Sequence, residues 1–183
     1  MASPSWRRIC VVGVAGAGKT TVSLALGRRL GLPVVHLDQH FWQPGWVIPD
    51  EAWWRATVVE LTAAPRWVMD GNDIRTFEQR FAASDAVVFL DVPRRTAMSG
   101  VLRRWWTLRG QQRPDVGPGC PEKIDRDFLR WVWRYRDDVR PQLLDSLAGL
   151  PDSTSVVRLT SREQARTWLA SLPGADDATR PPR

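Results

Sequence analysis

The sequence predicts an α/β fold built on a parallel sheet. Five short β-type runs alternate with helical patterns along the chain, and no internal repeat or low-complexity linker interrupts them. This alternation favours parallel strands, because a crossover helix must carry the chain back to the start of each next strand. The 183 residues fit one domain, and a composition of 43% hydrophobic and 25% charged residues excludes a disordered or collagen-like chain.

Apolar runs and helix-ending residues set the bounds of these elements. The predicted strands are residues 8–13, 33–37, 67–70, 86–91 and 155–159. The predicted helices are residues 19–30, 50–63, 95–108, a helix that begins at Pro121, and a helix from 161 to about 172. Gly31 would end the first helix, and Ser161 with Gln164 matches a capping box that would open the last.

The segment after the fourth strand has a different character. Residues 109–120 contain the glycines and prolines of a loop, which we expect to be mobile or ordered by a ligand. One face of the next helix is apolar and carries Phe128, Trp131, Val132, Tyr135 and Val139. Residues 173–183 lack a periodic apolar pattern, so we predict a single domain at 1–172 and a disordered tail.

Cysteine content and hydropathy predict a cytoplasmic protein. Cys10 and Cys120 are too few for a disulfide framework, and neither has neighbours at zinc-ligand spacing. The apolar runs are shorter than the 18 or so residues that a bilayer requires, and residues 1–8 lack the apolar core of a signal peptide. We therefore expect no membrane partner, and the pattern leaves monomer and homodimer open.

Residues 13–20 read GVAGAGKT and match the phosphate-binding pattern G-x-x-x-x-G-K-[ST] between a predicted strand and a predicted helix. In such a loop the backbone N–H groups surround the phosphates of ATP, Lys19 supplies a positive charge, and the Thr20 hydroxyl binds Mg²⁺. The predicted nucleotide-binding residues here are Gly13, Ala15, Gly16, Ala17, Gly18, Lys19, Thr20 and Thr21. A chance glycine-rich turn is the alternative, which the full spacing and the strand-helix setting disfavour.

No guanine-type N-K-x-D motif follows, and the length leaves no room for a second ATPase module, so a small kinase remains. Four blocks then resemble the FlaR-related DNA topology modulation protein family: HLDQHFWQPGW at 36–46, WVMDGNDIRT at 67–76, VFLDVPR at 88–94, and RPD at 113–115 with GCPEK at 119–123. That family is similar to the adenylate-kinase and shikimate-kinase group. The resemblance implies a three-layer P-loop kinase fold with strand order 2-3-1-4-5 and an arginine-bearing lid at about 94–121.

The resemblance also implies site residues at the ends of strands two and three. Asp38, expected at the end of the second strand, would contact the acceptor hydroxyl and act as a catalytic base; a turn-capping role is the alternative. Asp70 is preferred to Asp91 for Mg²⁺, because strand three lies next to the phosphate-loop strand in this order. Residues 70–72 resemble the acceptor segment of adenylate kinases without its Pro-Arg. The predicted acceptor-binding residues are Asp38, Asp70, Gly71, Asn72, Arg75 and Arg136.

Residues 94–113 contain six arginines and no acidic residue, which equals the formal net charge of +6. By resemblance to lid arginines, Arg104 and Arg109 would bind nucleotide, and Arg109, Arg113 and Arg134 would assist catalysis with Lys19 and Asp38. Arg75 and Arg80 would bind an anionic acceptor or form a solvated helix face.

Three functions compete at this stage. The first is Mg²⁺-ATP-dependent phosphoryl transfer to a small molecule or nucleotide. The second is a nucleic-acid-associated regulator that binds a nucleoside triphosphate, which the same arginines would serve. The third is a degenerate loop that binds ATP structurally. We favour the kinase, because a complete phosphate-binding loop is present and no helix-turn-helix or zinc module is recognisable.

Overall fold

A computed structural model describes residues 6–173 and confirms the parallel α/β fold. The strands are β1 (Arg8–Gly13), β2 (Val34–His36), β3 (Trp67–Asp70), β4 (Ala86–Leu90) and β5 (Ser155–Leu159). The longer helices are α1 (Lys19–Leu30), α3 (Glu51–Ala63), α5 (Arg94–Leu108), α6 (Arg126–Asp138), α7 (Arg140–Ala148) and α8 (Arg162–Ser171). The sheet order is β2-β3-β1-β4-β5 with parallel pairing throughout, which confirms the predicted order.

Helices cover both faces of the sheet and give three layers. Ile9 and Val11 of β1 belong to one buried cluster, which α1, α5, α6 and α8 complete. Cys10 and Val12 point to the opposite face, where α3, α4 (Phe77–Ala82) and α7 form a second cluster. The alternation follows from the two-residue period of a strand, and burial on both faces explains why β1 reads as a continuous apolar run.

Several short elements differ from the predictions. The second strand ends at His36 rather than 37, and Asp38 therefore lies in a short helix, α2 (Leu37–Phe41), rather than at the end of a strand. A 3₁₀ turn (Ile74–Thr76), α4 and α7 were also not predicted. Helices of three to nine residues are too short to show a clear apolar period in sequence, so their absence from the prediction has a physical cause.

The segment between α5 and α6 is longer than predicted. Helix α6 begins at Arg126 rather than Pro121, because the Asp125 carboxylate accepts a hydrogen bond from the Phe128 amide and caps the helix there. Residues 109–125, which we call the α5–α6 loop, fold back on themselves through an antiparallel bridge between Gln112 and Pro121. The predicted lid at 94–121 thus includes all of α5, which is buried in the core at Ala97 and Val101.

The remaining sequence expectations concern thiols, membrane spans and the tail. Cys10 and Cys120 are free and buried. Across residues 6–173, no helix combines the length and apolar character that crossing a membrane requires. The predicted tail lies outside the described residues, apart from Pro173.

Candidate functional site

The phosphate-binding loop leads from β1 into α1, in the setting that the motif requires. Lys19 Nζ donates to the carbonyl oxygens of Gly13 at 2.9 Å and Val14 at 3.3 Å, so the lysine lies folded back along its own loop. Gly16 has φ +79°, and a Cβ there would collide with the Ala97 carbonyl of α5. Glycine is therefore required where the loop turns beneath α5.

A cavity of about 1300 Å³ opens at the carboxyl ends of the strands, above this loop. Such a volume exceeds that of a typical small-molecule pocket, and it suits a nucleotide together with a second substrate. Of the predicted site residues, the cavity is lined by Ala15, Gly16, Ala17, Gly18, Lys19, Thr20, Thr21, Asp38, Asp70, Asn72, Arg75, Arg104 and Arg113.

Acidic side chains from α2 and β3 line the same cavity as Lys19. Burial raises the pKa of Asp38 above its ordinary value, although Lys19 and Arg113 oppose that shift. Burial also lowers the pKa of Lys19, which Asp38 and Asp70 counteract. The opposed shifts indicate that Asp38 and Lys19 hold their charges partly through each other.

Asp70 ends β3 beside the loop strand, where it pairs in register with Val11. Its carboxylate is buried and lies 2.9 Å from His36 Nδ1, and this hydrogen bond raises the pKa of His36. His36 of the neighbouring strand β2 thus holds the Asp70 carboxylate in place, and Asp70 lines the cavity. Asp91, the rejected candidate for Mg²⁺, is instead bonded to Arg140 and Arg158 at distances of 2.5–2.9 Å.

A buried ion-pair network connects the α5–α6 loop to the phosphate-binding loop. Arg113 donates to both oxygens of Asp115, at 2.9 and 3.1 Å, and also to Glu122 at 3.1 Å. Arg104 of α5 donates to the other oxygen of Glu122 at 2.9 Å. Thr20 Oγ1 then donates to Asp115 Oδ2 at 2.7 Å.

Each member of this network has a charged partner. Glu122 is 1% exposed and Arg113 7% exposed, burial that neither charge would tolerate alone. Burial by itself would raise the pKa of Asp115, but the hydrogen bonds from Arg113 and Thr20 bring it down to about 2. Asp115 is therefore a carboxylate at neutral pH.

The same loop is bonded to α2 and the turn that follows it. The Gly117 amide donates to the Asp38 carbonyl at 3.2 Å, and the Gly45 amide donates to the Gly119 carbonyl at 2.9 Å. Trp46 Nε1 donates to the Pro121 carbonyl at 3.1 Å, and Gln39 Nε2 donates to the Pro114 carbonyl. The loop therefore spans the cavity from Thr20 to the segment that carries Asp38.

The cavity wall beside α2 mixes aromatic and charged groups. Asp73 accepts two hydrogen bonds from the Arg75 side chain and one from Trp54 Nε1. The Arg75 guanidinium also lies 5.2 Å from the centre of the Phe41 ring. Arg75 thus belongs to the cavity wall, where its charge is shared with Asp73.

Asn72 is fixed by a residue from α6. Its side-chain oxygen accepts from the Tyr135 hydroxyl at 2.9 Å, while its buried amide nitrogen has no partner within the part of the chain that the structure describes. An unsatisfied buried donor on a residue that lines the cavity suits an oxygen from a ligand.

Other predicted residues lie away from the cavity. Arg134 is exposed and bonded to Asp138, and the described lining also omits Arg109, which lies 5.4 Å from the Trp105 ring centre, and Arg136. Gly13 and Gly71 lie outside this lining as well, although the Gly13 carbonyl binds Lys19. Arg80 is buried in the core, so it neither faces a ligand nor forms a solvated surface.

The donor set fits Mg²⁺ and a polyphosphate. Thr20, Asp70 and Asp115 offer oxygen atoms, which Mg²⁺ prefers. Lys19, Arg104 and Arg113 line the same cavity and supply positive charge for phosphate oxygens. The sequence reasoning missed the roles of Asp115, Glu122 and Asp73; the only signal for Asp115 was its place in the family-like block at 113–115.

Comparisons with known proteins agree with this geometry at the level of the fold. No protein-family model matches the chain. The uncharacterized protein YqaC of Bacillus subtilis (strain 168) is 26% identical over 133 residues, which cover 70% of this chain and 72% of that protein.

Two solved kinases share the architecture. Shikimate kinase from Acinetobacter baumannii, in complex with shikimate, aligns with a TM-score of 0.58 and 20% identity over 91% of this chain and 90% of that chain. Deoxyadenosine kinase from M. mycoides, with dCMP and dCDP bound, aligns with a TM-score of 0.50 and 14% identity over 89% of this chain and 97% of that chain. The FlaR-related resemblance stays a prediction, and the chain has the fold of the P-loop kinases.

Proposed function

We propose that this protein is a Mg²⁺-ATP-dependent phosphotransferase that acts on a hydroxyl group of a small molecule or nucleotide. One observation carries the proposal: Lys19 and Thr20 of a complete phosphate-binding loop open into the same cavity as Asp38. Phosphoryl transfer needs these two halves, a site that holds the triphosphate and a group that orients the attacking oxygen.

The residues divide the work by position. The loop amides and Lys19 bind the phosphates, and Arg104 and Arg113, which line the same cavity, stabilise the charge that spreads onto the transferred group. Bound Mg²⁺ neutralises the phosphates, and Thr20 and Asp70 are the groups that would hold it or its waters. Asp38, whose pKa is raised by burial, orients the acceptor hydroxyl and takes its proton.

The side chains that line the cavity near Asp38 indicate the chemical class of the acceptor. Asn72, Asp73 and Arg75 offer polar groups, and Phe41, Trp42 and Trp54 offer flat apolar surfaces within the same cavity. This combination suits a polyhydroxyl or nucleoside-like acceptor with a planar or apolar face. A panel of sugars, hydroxy acids, nucleosides and nucleotides, scored by ADP release, would identify the acceptor class.

The nucleotide half is tested with Lys19→Ala. We expect ATP affinity to fall about tenfold to a hundredfold by calorimetry, because a charge-assisted hydrogen bond contributes about 1.5–3 kcal/mol. Arg28→Ala, an exposed change in the last turn of α1, serves as the control and should leave affinity unchanged. Equal ATP affinity of the Lys19→Ala variant and the unmodified chain would remove the nucleotide-binding assignment.

A further inference from the structure

Asp115 of the α5–α6 loop lies beside the Thr20 hydroxyl, in a position that its place in the sequence does not reveal. We propose that Asp115 is a direct ligand of the nucleotide-bound Mg²⁺, adjacent to Thr20 in its coordination shell. The inference rests on the proposed function and adds a carboxylate from a distant loop to the metal site.

The distance between the two oxygens supports shared coordination. Asp115 Oδ2 lies 2.7 Å from Thr20 Oγ1. Octahedral Mg²⁺ binds oxygen at 2.0–2.1 Å, so two adjacent ligand oxygens lie about 2.9 Å apart. The hydrogen-bonded pair therefore has nearly the separation of neighbouring ligands, and both oxygens can reach one ion with a shift of a few tenths of an ångström.

The Asp115 carboxylate is also held in place before any ion arrives. Arg113 donates to both of its oxygens, and Glu122 fixes Arg113 from the other side. Outer partners of this kind orient metal-binding carboxylates and reduce the entropy that is lost on coordination. Asp115 is 14% exposed, so few waters compete for its oxygens.

The charge balance of the network allows a cation to be added. The two guanidinium groups of Arg104 and Arg113 match the two carboxylates of Asp115 and Glu122, so the network itself is neutral. It therefore does not repel Mg²⁺, and when Asp115 turns an oxygen toward the ion, Arg113 keeps Glu122 as a partner.

A blocking role for Asp115 predicts the opposite result. If the carboxylate only occupied the Thr20 hydroxyl and excluded Mg²⁺, its removal would strengthen metal binding. If Asp115 binds the ion, its removal weakens metal binding and leaves binding of metal-free nucleotide unchanged. The sign of the change in Mg²⁺ affinity therefore separates the two roles.

The experiment titrates Mg²⁺ into the complex with a fluorescent ADP analogue, starting in EDTA. We expect Asp115→Asn and Asp115→Ala to bind the metal-free analogue like the unmodified chain and to need about tenfold or more Mg²⁺ for the same response. Asp127→Asn, an exposed carboxylate on the rim of the same cavity, is the matched control and should not change the Mg²⁺ requirement.

A second readout counts ligands directly. Mn²⁺ substituted for Mg²⁺ and observed by electron paramagnetic resonance in ¹⁷O-water reports the number of bound waters, and Asp115→Ala, which leaves no side-chain oxygen to bind the ion, should add one water to the complex. Either an unchanged water count or an unchanged or lowered Mg²⁺ requirement would overturn the inference.

Refutation of the proposed function can be distinguished from refutation of the role of Asp115. If the unmodified chain does not bind the analogue, or if Lys19→Ala binds it equally well, nucleotide binding itself is refuted. If both of those controls behave as expected and Asp115→Asn leaves the Mg²⁺ requirement unchanged, only the role of Asp115 is refuted. The Mn²⁺ measurement on the unmodified chain stays informative if a variant fails to fold.

Discussion

Arg80 places a guanidinium in the core without a carboxylate at ion-pair distance among residues 6–173. It donates instead to Thr76 Oγ1 and to the carbonyl oxygens of Gly71 and Asp73. Phe77 lies under the guanidinium at 5.2 Å. Because these acceptors all belong to the segment that follows Asp70, Arg80 fixes the chain between the β3 carboxylate and the cavity wall.

Arg80→Lys should destabilise the fold. A lysine keeps the charge but cannot reach all three acceptors, and a buried carbonyl left unpaired costs about 1–3 kcal/mol. The midpoint of thermal unfolding should fall by several degrees, since about 1 kcal/mol corresponds to roughly 2–4 °C at this size. Arg95→Lys, on an exposed position of α5, is the control, and equal midpoints for the two variants would contradict the role given to Arg80.

Asp38 is a second residue whose role can be tested by a single substitution. Asp38→Asn conserves shape and removes charge and proton affinity, so ATP affinity should stay within a few-fold while phosphoryl transfer falls by about 10²-fold or more. Measuring kcat and nucleotide affinity on the same variant separates these effects. Full turnover with the asparagine would leave Asp38 as a residue that only shapes α2.

At the scale of elements, local signals predicted most of the fold, together with the phosphate-binding loop of the candidate site. Strand β1, the phosphate-binding loop and α1 are contiguous, so apolar period, glycines and helix-ending residues identify them together. The Thr20–Asp115 contact joins residues 95 positions apart, and no local pattern encodes it. Arg134 was placed in the site by resemblance alone, whereas in the structure it forms an exposed pair with Asp138.

The end of β4 illustrates how elements are joined outside the cavity. Asp91 follows that strand and is 3% exposed. It accepts hydrogen bonds from Arg158 of β5 and from Arg140 at the start of α7. Burial alone would raise the pKa of Asp91, but these two guanidinium groups lower it below the ordinary value. One carboxylate thus connects a strand, its neighbour and a helix.

Asp91→Asn should therefore lower stability in a pH-dependent way. The folded-state pKa is depressed, so the contribution is fully present above the ordinary value of 3.8 and is lost as pH falls through the folded-state pKa. Urea unfolding at pH 7 should show a loss of about 1–3 kcal/mol, because hydrogen bonds to charged groups are replaced by neutral ones. The two proteins should converge at the acid end, and a constant difference from pH 7 to pH 3 would contradict this role for the carboxylate.

In the folded molecule, most arginines of the acid-free run at 94–113 are paired with acidic residues or packed against an aromatic ring. Three of the six arginines form ion pairs with acidic residues outside that run. Arg94 lies 2.6 Å from Asp137, Arg104 pairs with Glu122, and Arg113 pairs with Asp115. A fourth, Arg109, lies against the Trp105 ring. The run in sequence therefore does not form a continuous basic face in space, which weakens the nucleic-acid hypothesis.

Duplex DNA binding should accordingly be weak. Arg95, Arg103 and Arg109 are the exposed arginines of this run that lack an ion pair within residues 6–173, and three phosphate contacts give a log-log salt slope of only about 3. At physiological salt we expect a dissociation constant weaker than about 10 µM, since nonspecific binding commonly lies between 10⁻⁴ and 10⁻⁶ M. Titration of a labelled duplex at several salt concentrations measures both quantities. Arg95→Ala combined with Arg103→Ala should change little, because little binding is present to lose. Micromolar or tighter binding that this double variant abolishes while ATP turnover survives would instead assign the arginines to nucleic acid.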